Sequence, residues 1–263
     1  MIARSASLRA GLALAATIGL AASTVLAATG GNGPPRDLDA LLARFIEARG
    51  GAALRTVRTV RLSGRFSAGA NPGGEATIEL ARDPARVRTE IHFGPRTLIQ
   101  VWDGHSGWTI NPFRGDSVAR SLEGGEAKNV AAGADFEGPL VDWRRKGNRV
   151  RWAGADTADG RRAYAIEVLT ADSLRDTYFI DSLTFLQTKW QGHRVFGGDS
   201  VTFVSYFRDY GKVGGVAWAH RIDSQTLGRP GGQQFLFDSV RVNVSLPPAT
   251  FAKPAGGGSA PGG

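Results

Sequence analysis

The hydrophobic and polar positions of this chain follow two periods, one after the other. Near the start, apolar residues recur three or four positions apart, which places them on one face of a helix. They are Leu38, Leu41, Leu42, Phe45 and Ile46. Gly50 and Gly51 end this predicted helix. Beyond them the pattern changes to strict alternation, which is typical of strands with one dry and one wet face.

The alternation predicts a long antiparallel sheet whose strands follow one another in hairpins. The predicted strands cover about 60–66, 76–80, 87–93, 97–102, 107–111, 148–153, 163–169, 176–181, 184–191, 200–210, 216–226 and 233–244. Turn residues such as Asp103-Gly104 and Asp159-Gly160 separate many of them. A sheet of about eleven or twelve strands with few helices must curl. The predicted fold class is therefore mainly β with a few helices (α+β).

The run of strands is interrupted once, at about 120–147. Residues 123–134 are small and polar enough to be helical or coiled. Asp135 is a candidate cap for a second helix at about 136–146, which Gly147 would end, with Pro139 early enough to be tolerated. Phe136, Leu140 and Trp143 would then share one face. We expect this face to act as a lid over the curled sheet.

The concave face of such a sheet carries more large apolar side chains than two helices can cover. The candidate lining residues are Phe66, Ile78, Leu80, Ile91, Phe93, Trp102, Trp108 and Phe113. These side chains either fill a core or surround an apolar ligand cavity. The sequence pattern is compatible with both.

The two ends of the chain differ from the part between them. Arg4 and Arg9 precede a short apolar run at 10–22, and Ala27 supplies a small residue for cleavage. Residues 1–27 are therefore predicted to be a secretory signal peptide, because the run is shorter than the roughly 20 residues that span a bilayer. Residues 28–35 are predicted to be a flexible leader and 254–263 a Gly/Pro tail. One domain, at 36–253, is expected between them.

Composition narrows the possible chemistry. The chain has no cysteine, so disulfides, thiol nucleophiles and a lipidated cysteine are excluded. Its 32 Lys and Arg against 24 Asp and Glu are scattered along the chain, which argues against a nucleic-acid partner. The four histidines lack metal-ligand spacing, and no cofactor motif occurs. Asp103, His105 and Ser106 share one tight turn and cannot form a triad, so we do not expect an enzyme.

One segment is specific enough to resemble a known family. Residues 103–113 read Asp-Gly-His-Ser-Gly-Trp-Thr-Ile-Asn-Pro-Phe, a pattern that resembles the LolA family of periplasmic outer-membrane lipoprotein carriers. The amphipathic first helix, the Arg82-Asp83-Pro84 sequence and residues 135–142 are also similar to that family and its lipoprotein-sorting subgroup. Asn243, Leu246, Phe251 and Pro254 resemble the subgroup's closing segment.

The resemblance implies an incomplete antiparallel barrel of about eleven strands, LolA/LolB-like, whose mouth is covered by helices. It implies a soluble periplasmic monomer that shields the acyl chains of a lipoprotein or another lipid between an inner-membrane donor and an outer-membrane acceptor. In the family a strand arginine before a proline helps to hold the lid closed, and Arg82 is the nearest match. Related members of the fold act as sensors on an inner-membrane partner, and that alternative remains open.

Overall fold

The computed structural model describes residues 37–69, 71–196 and 199–254, so the predicted signal peptide, the leader and residues 255–263 lie outside the described residues. The helices are α1 (Leu38–Arg49), α2 (Ala52–Thr56), α3 (Gly124–Gly133) and a 3₁₀ helix at Pro248–Phe251. The strands are β1 (Thr59–Ala68), β2 (Asn71–Ala81), β3 (Arg86–Phe93), β4 (Arg96–Trp102), β5 (Gly107–Ile110), β6 (Arg120–Ser121), β7 (Arg149–Ala158), β8 (Arg161–Leu169), β9 (Arg175–Asp181), β10 (Gln187–Phe196), β11 (Asp199–Val213), β12 (Val216–Thr226) and β13 (Gly232–Val242).

All the described strands form one antiparallel sheet in the order β6-β5-β4-β3-β2-β1-β13-β12-β11-β10-β9-β8-β7. Most neighbours in the sheet are neighbours in sequence, because short turns join them. Between β7 and β8, for example, Asp159 and Gly160 both have positive φ, as the tightest hairpin turns require. The sheet begins at β6 and ends at β7, so it is open.

The predicted open antiparallel barrel is confirmed, with thirteen strands rather than about eleven. Sequence alternation missed β6, because a strand of two residues is too short to show a period. The curl follows from α3, which contacts both β4 and β10. These strands are seven positions apart in the sheet, or about 34 Å if it were flat, whereas a ten-residue helix is about 15 Å long.

The predicted first helix is also confirmed. The Asp37 carboxylate accepts the Asp39 backbone N–H at 2.9 Å and caps α1. Leu41, Leu42 and Phe45 are buried against the sheet. Gly50 ends the helix at φ 130°, where an added Cβ would lie 2.6 Å from the carbonyl oxygen of Gly215. The glycine therefore lets the helix end approach the β11–β12 turn.

Among the described residues, the sheet carries one large apolar cluster and two smaller ones, the smallest formed by Ala158, Ala163, Ala165 and Phe179. We call the face with the larger cluster the inner face; it is covered by α1, α3 and the residues that follow α3. Buried members of the inner cluster include Val60 and Phe66 in β1, Leu80 in β2, Val87 and Ile91 in β3, Ile166 and Val168 in β8, Ile180 in β9 and Phe203 in β11. The outer cluster contains Ala81, Ile99, Val101, Trp108, Ile110 and Phe251.

Within the described residues, α-helices are too short or too polar to cross a bilayer. The longest, α1, has only 12 residues and is amphipathic. Its apolar side is used for packing on the inner face, as the sequence pattern predicts.

Candidate functional site

Most of the residues proposed to line a cavity do lie on the inner face. Phe66, Leu80 and Ile91 are buried in the inner cluster, and Ile78, Phe93 and Trp102 are partly buried against it. Phe113, in the turn after β5, meets the ring of Phe93 edge-on at 5.1 Å. Their role in ligand binding stays a prediction.

The placement of Trp108 on the inner face is wrong. Trp108 pairs with Val101 across β4 and β5, and cross-strand partners point to the same side of a sheet. Both residues belong to the outer cluster, where the Trp108 indole N–H donates to the Phe251 carbonyl at 3.1 Å. All four residues of β5 are buried, so alternation in this strand gives no signal for which side faces inward.

The inner aromatic side chains form a continuous group at the end of β1 farthest from α1. The ring of Phe66 lies 4.8 Å from Phe235 and 5.9 Å from Phe93. Phe235 in turn stacks on Phe237 at 5.6 Å. Such contacts add about 0.5–1.5 kcal/mol per pair beyond the burial of area. This end of the interior is therefore apolar and rich in aromatic contacts.

The predicted lid helix at 136–146 is wrong, although the segment does cover the inner face. We call residues 134–148 the lid segment; it is a succession of turns. Gly138 has φ 83° and Asp142 has φ 50°, both outside the helical region. Pro139 donates no hydrogen bond, so a regular helical ladder cannot form across these positions.

The lid segment nevertheless buries an apolar stripe. Leu140 and Val141 are each 1% exposed and belong to the inner cluster. Phe136 lies against Trp218, with ring centroids 6.1 Å apart, and Trp143 is partly buried beside the cluster. Phe136, Leu140 and Trp143 therefore lie on the sheet side of the segment as predicted, although no helix presents them.

Arg82, the candidate latch, joins the sheet to the lid segment. It follows β2, and its guanidinium donates to the carbonyls of Val57 and Leu54, each at 2.7 Å. It also forms an ion pair with Glu137 at 2.7 Å, in which the two side chains are 15% and 8% exposed. The same guanidinium lies 5.0 Å above the ring of Phe136. Arg82 thus reaches the lid segment by a charge and a ring contact together.

Other charged groups hold the lid segment to the first two helices. Arg49 of α1 donates to the Phe136 carbonyl at 3.1 Å, and burial lowers the pKa of its guanidinium. Arg55 of α2 binds both carboxylate oxygens of Asp142 at 3.1 Å. Hydrogen bonds from Arg55 and Arg145 lower the pKa of Asp142. A cover held at its rim by polar contacts can exchange them for water when it moves.

Sequence reasoning missed these partners, because it gave the carboxylates of the lid segment local roles. Asp135 was expected to cap a helix, but its side chain binds Lys146 within the segment at 2.5 Å. Glu137, two positions further on, is buried and binds Arg82. A signal was present in the sequence, since three acidic residues lie within eight positions of a stretch rich in apolar residues.

The inner face also holds an ion pair that the sequence pattern did not predict. Asp176 of β9 and Arg194 of β10 make two hydrogen bonds, at 2.8 and 3.2 Å, with side chains 4% and 2% exposed. They lie in line with Tyr178 and Trp190 of the inner cluster, two and four positions along their strands. Burial raises the pKa of Asp176, and the hydrogen bonds from Arg194 oppose that effect. A cleft of about 380 Å³ crosses β7–β10 beside the pair.

The turn at Asp103 has a structural role. The Asp103 carboxylate accepts the backbone N–H groups of His105 and Ser106, each at 2.8 Å, and the Ser106 hydroxyl at 3.1 Å. Partial burial acts to raise the pKa of Asp103, but the hydrogen bonds together have the larger effect, so the pKa is lowered. All the polar groups are used to close the turn.

Three solved structures share this architecture. No protein-family model matches the chain, and no curated protein matches its sequence. A LolA superfamily protein from Nitrosomonas europaea is 16% identical, with a TM-score of 0.54, and the match covers 82% of this chain and 97% of the other. A domain described as an outer-membrane lipoprotein-sorting protein, from Vibrio parahaemolyticus, is 10% identical with a TM-score of 0.54, covering 80% and 94%.

The third structure is a DUF1329 family protein from Desulfovibrio piger. It is 12% identical, with a TM-score of 0.53, and the match covers 82% of this chain and 97% of the other. All three identities are low, so what is shared is the fold. The chain has a LolA-like fold, as the resemblance at residues 103–113 predicts.

Proposed function

We propose that this chain is a carrier that shields the acyl chains of a lipoprotein or another lipid in transit through water. The observation that carries the proposal is the apolar inner face, closed by a segment whose rim contacts are ionic. Moving one methylene from water into such an interior is worth about 0.8 kcal/mol, so an acyl chain gains several kcal/mol by entering. The LolA-like fold supports the same conclusion.

In this proposal the lid segment is in its closed position. Leu140, Ile91 and Ile166 are at most 1% exposed, so the lid segment lies directly on the inner cluster. An acyl chain would enter by displacing the lid segment, whose charged groups would regain hydration as they leave their partners. Its buried stripe would then pack on the ligand instead of on the sheet.

Titration of the purified protein with a fluorescent fatty acid tests the proposal. We expect a saturable rise of the emission, since the probe leaves water for an apolar site. A folded globular protein without an acyl site is the control. An emission that remains at the level of that control would contradict the carrier proposal.

We further propose that the protein is exported and acts in the periplasm. The motive is the basic, apolar and small-residue pattern of residues 1–27. Intact mass of the protein from a periplasmic fraction should match a chain beginning at Ala28. A mass that still includes Arg4 and Arg9 would contradict cleavage.

Carrier and sensor differ in what the loaded protein does next. A carrier should pass the fluorescent fatty acid to acceptor vesicles and return to the free form. A sensor should instead retain an inner-membrane protein in a pull-down when it is loaded. Transfer without such retention would support the carrier proposal.

A further inference from the structure

The surroundings of the Asp176–Arg194 pair leave hydrogen-bond donors poorly satisfied inside an apolar interior. The Nε–H of Arg194 is buried without a hydrogen-bond partner. The buried indole N–H of Trp190 lacks a partner of good geometry and is shared between the side chains of Asp176 and Tyr178. The two donors are adjacent, since the guanidinium lies 5.5 Å from the centre of the Trp190 ring. A buried donor without a good partner costs about 1–3 kcal/mol, so two such donors in one place call for an explanation.

The cover over this part of the sheet adds a third polar group. Helix α3 contacts β10, the strand that carries Trp190 and Arg194. Asn129 of α3 has a buried side-chain amide in which neither the nitrogen nor the oxygen has a partner. Strand β10 and helix α3, which contact each other, therefore both carry buried polar groups that lack good hydrogen-bond partners.

The backbone is adapted to the ion pair. At Gly192 an added Cβ would lie 2.0 Å from a carboxylate oxygen of Asp176 and 2.9 Å from a guanidinium nitrogen of Arg194. Only glycine leaves room for the pair at this position. Buried ion pairs are weak evidence for stability, because apolar residues of similar volume often serve as well. A role in recognition accounts better for a pair placed among aromatic side chains.

We propose that Arg194 and Trp190 bind the carbonyl group of the ester or amide bond that joins an acyl chain to the rest of the lipid or lipoprotein. This inference rests on the proposed function and assigns the polar end of the same interior. The acyl chain would lie on the inner apolar cluster. Its carbonyl oxygen would accept the unpaired Nε–H of Arg194 and the indole N–H of Trp190, which would exchange its poorly aligned contact for this one.

A neutral acceptor fits the charges better than an anion. The Arg194 guanidinium already binds both oxygens of Asp176, so the pair carries no net charge. A carboxylate ligand would have to be buried beside Asp176, and two adjacent like charges are costly. The polar end of the site therefore favours an ester or amide carbonyl over a carboxylate, whereas the acyl chain of a fatty acid gains as much from the inner cluster as that of an ester.

Competition between two matched ligands tests the assignment. Methyl palmitate and methyl hexadecyl ether have chains of the same length and differ in the carbonyl group. Each competes against the neutral fluorescent probe N-phenyl-1-naphthylamine. With the unmodified protein, we expect the ester to bind more tightly than the ether by about fivefold for each donor engaged.

Two variants then locate the effect. Trp190→Phe keeps an aromatic ring and removes one N–H, so it should lower ester affinity about fivefold and leave ether affinity unchanged. Asp176→Leu with Arg194→Met replaces the whole pair by apolar groups and should have the same selective effect. If the double variant fails to fold, as judged by circular dichroism, Trp190→Phe alone decides.

The outcomes separate this inference from the proposed function. If both ligands bind the unmodified protein equally well, or Trp190→Phe weakens both equally, the carbonyl site is wrong while the carrier proposal stands. If palmitate anion binds more tightly than its methyl ester, the site recognises an anion and the assignment is again wrong. If neither ligand displaces the probe, the proposed function itself fails.

Discussion

Two short segments cover opposite faces of the sheet. Both bury apolar side chains, but only the lid segment is also held by several charged groups. The lid segment lies on the inner face and is bound at its rim by Arg49, Arg55 and Arg82. The 3₁₀ helix lies on the outer face and inserts Phe251, which is 1% exposed, beside Trp108. Water can solvate the charged groups of the first when they separate, but it cannot replace the apolar contacts of the second. If the carrier proposal is correct, we expect the inner cover to move and the outer cover to stay in place.

The largest expected effect concerns the outer cover. Phe251→Ala should destabilise the protein by about 3–5 kcal/mol, because it empties a fully buried aromatic site. We expect the thermal midpoint to fall by about 10 °C, with acyl-probe affinity unchanged at temperatures where the variant is folded. Trp108→Phe is a milder comparison: it removes the hydrogen bond to Phe251, worth about 1 kcal/mol, together with part of the buried ring, and it should destabilise the protein less than Phe251→Ala. A weakened probe affinity in folded Phe251→Ala would show that the covers are not independent.

A change in the inner cover, Leu140→Glu, should affect probe affinity strongly and the thermal midpoint only modestly. An unpaired carboxylate is costly in the inner cluster, so the lid segment should open rather than bury it. We expect a smaller fall of the thermal midpoint than for Phe251→Ala, since none of the sheet ladder depends on this segment. Probe affinity should fall more than tenfold, because an open lid leaves the acyl chain in water.

Leu140→Met is the control for this change, since it conserves volume and costs less than about 1.5 kcal/mol. It should retain both the midpoint and the probe affinity. Global unfolding of Leu140→Glu, or undiminished binding in the folded variant, would count against a mobile lid segment.

A finer change tests Arg82 as a latch. Glu137→Gln retains the shape of the side chain and removes its charge, so the contact to Arg82 should weaken by about 1–2 kcal/mol. We expect the release of a bound probe to become several-fold faster in stopped-flow measurements, with little change in the thermal midpoint. Glu79→Gln is a matched control, because Glu79 pairs with Arg61 within the sheet. If both variants accelerated probe release equally, Arg82 would not act as a latch.

The smallest effect is a dependence on pH. The pKa of Asp142 is lower in the folded protein than its ordinary value of 3.8, because Arg55 and Arg145 donate hydrogen bonds to the carboxylate. Its stabilising contribution is therefore complete above about pH 4 and is lost as the pH falls through the lowered pKa. Asp142→Asn should reduce the loss of thermal stability between pH 6 and 3. An unchanged acid profile would indicate that other carboxylates dominate.

The comparison also explains what the sequence could and could not predict. Alternation identified the sheet because its strands are long and have one apolar face. It assigned Trp108 to the wrong face because both faces of β5 are buried. Helical spacing placed Phe136, Leu140 and Trp143 on the correct side but suggested a helix that Gly138 and Asp142 do not permit. The spacing of apolar residues indicates which of them share one side of a segment. A helix and a succession of turns can both produce that arrangement.

The ion pair between Asp176 and Arg194 could not be predicted from residue type. Charged residues in a strand are usually on the solvent face, so Asp176 and Arg194 carried no signal by type. Their position was informative, since Asp176 lies two residues from Tyr178 and Arg194 four residues from Trp190, which places each on the aromatic side of its strand. The pairing of β9 with β10, which brings the two together, needs the structure.

The edge strands β6 and β7 are consecutive in sequence, although they stand at opposite ends of the sheet. The chain between them contains both α3 and the lid segment. A single connection therefore spans the open seam of the barrel. No strand pairing crosses that seam, so a widening of the barrel there would require only this connection to rearrange, and the hydrogen bonds between strands would be kept.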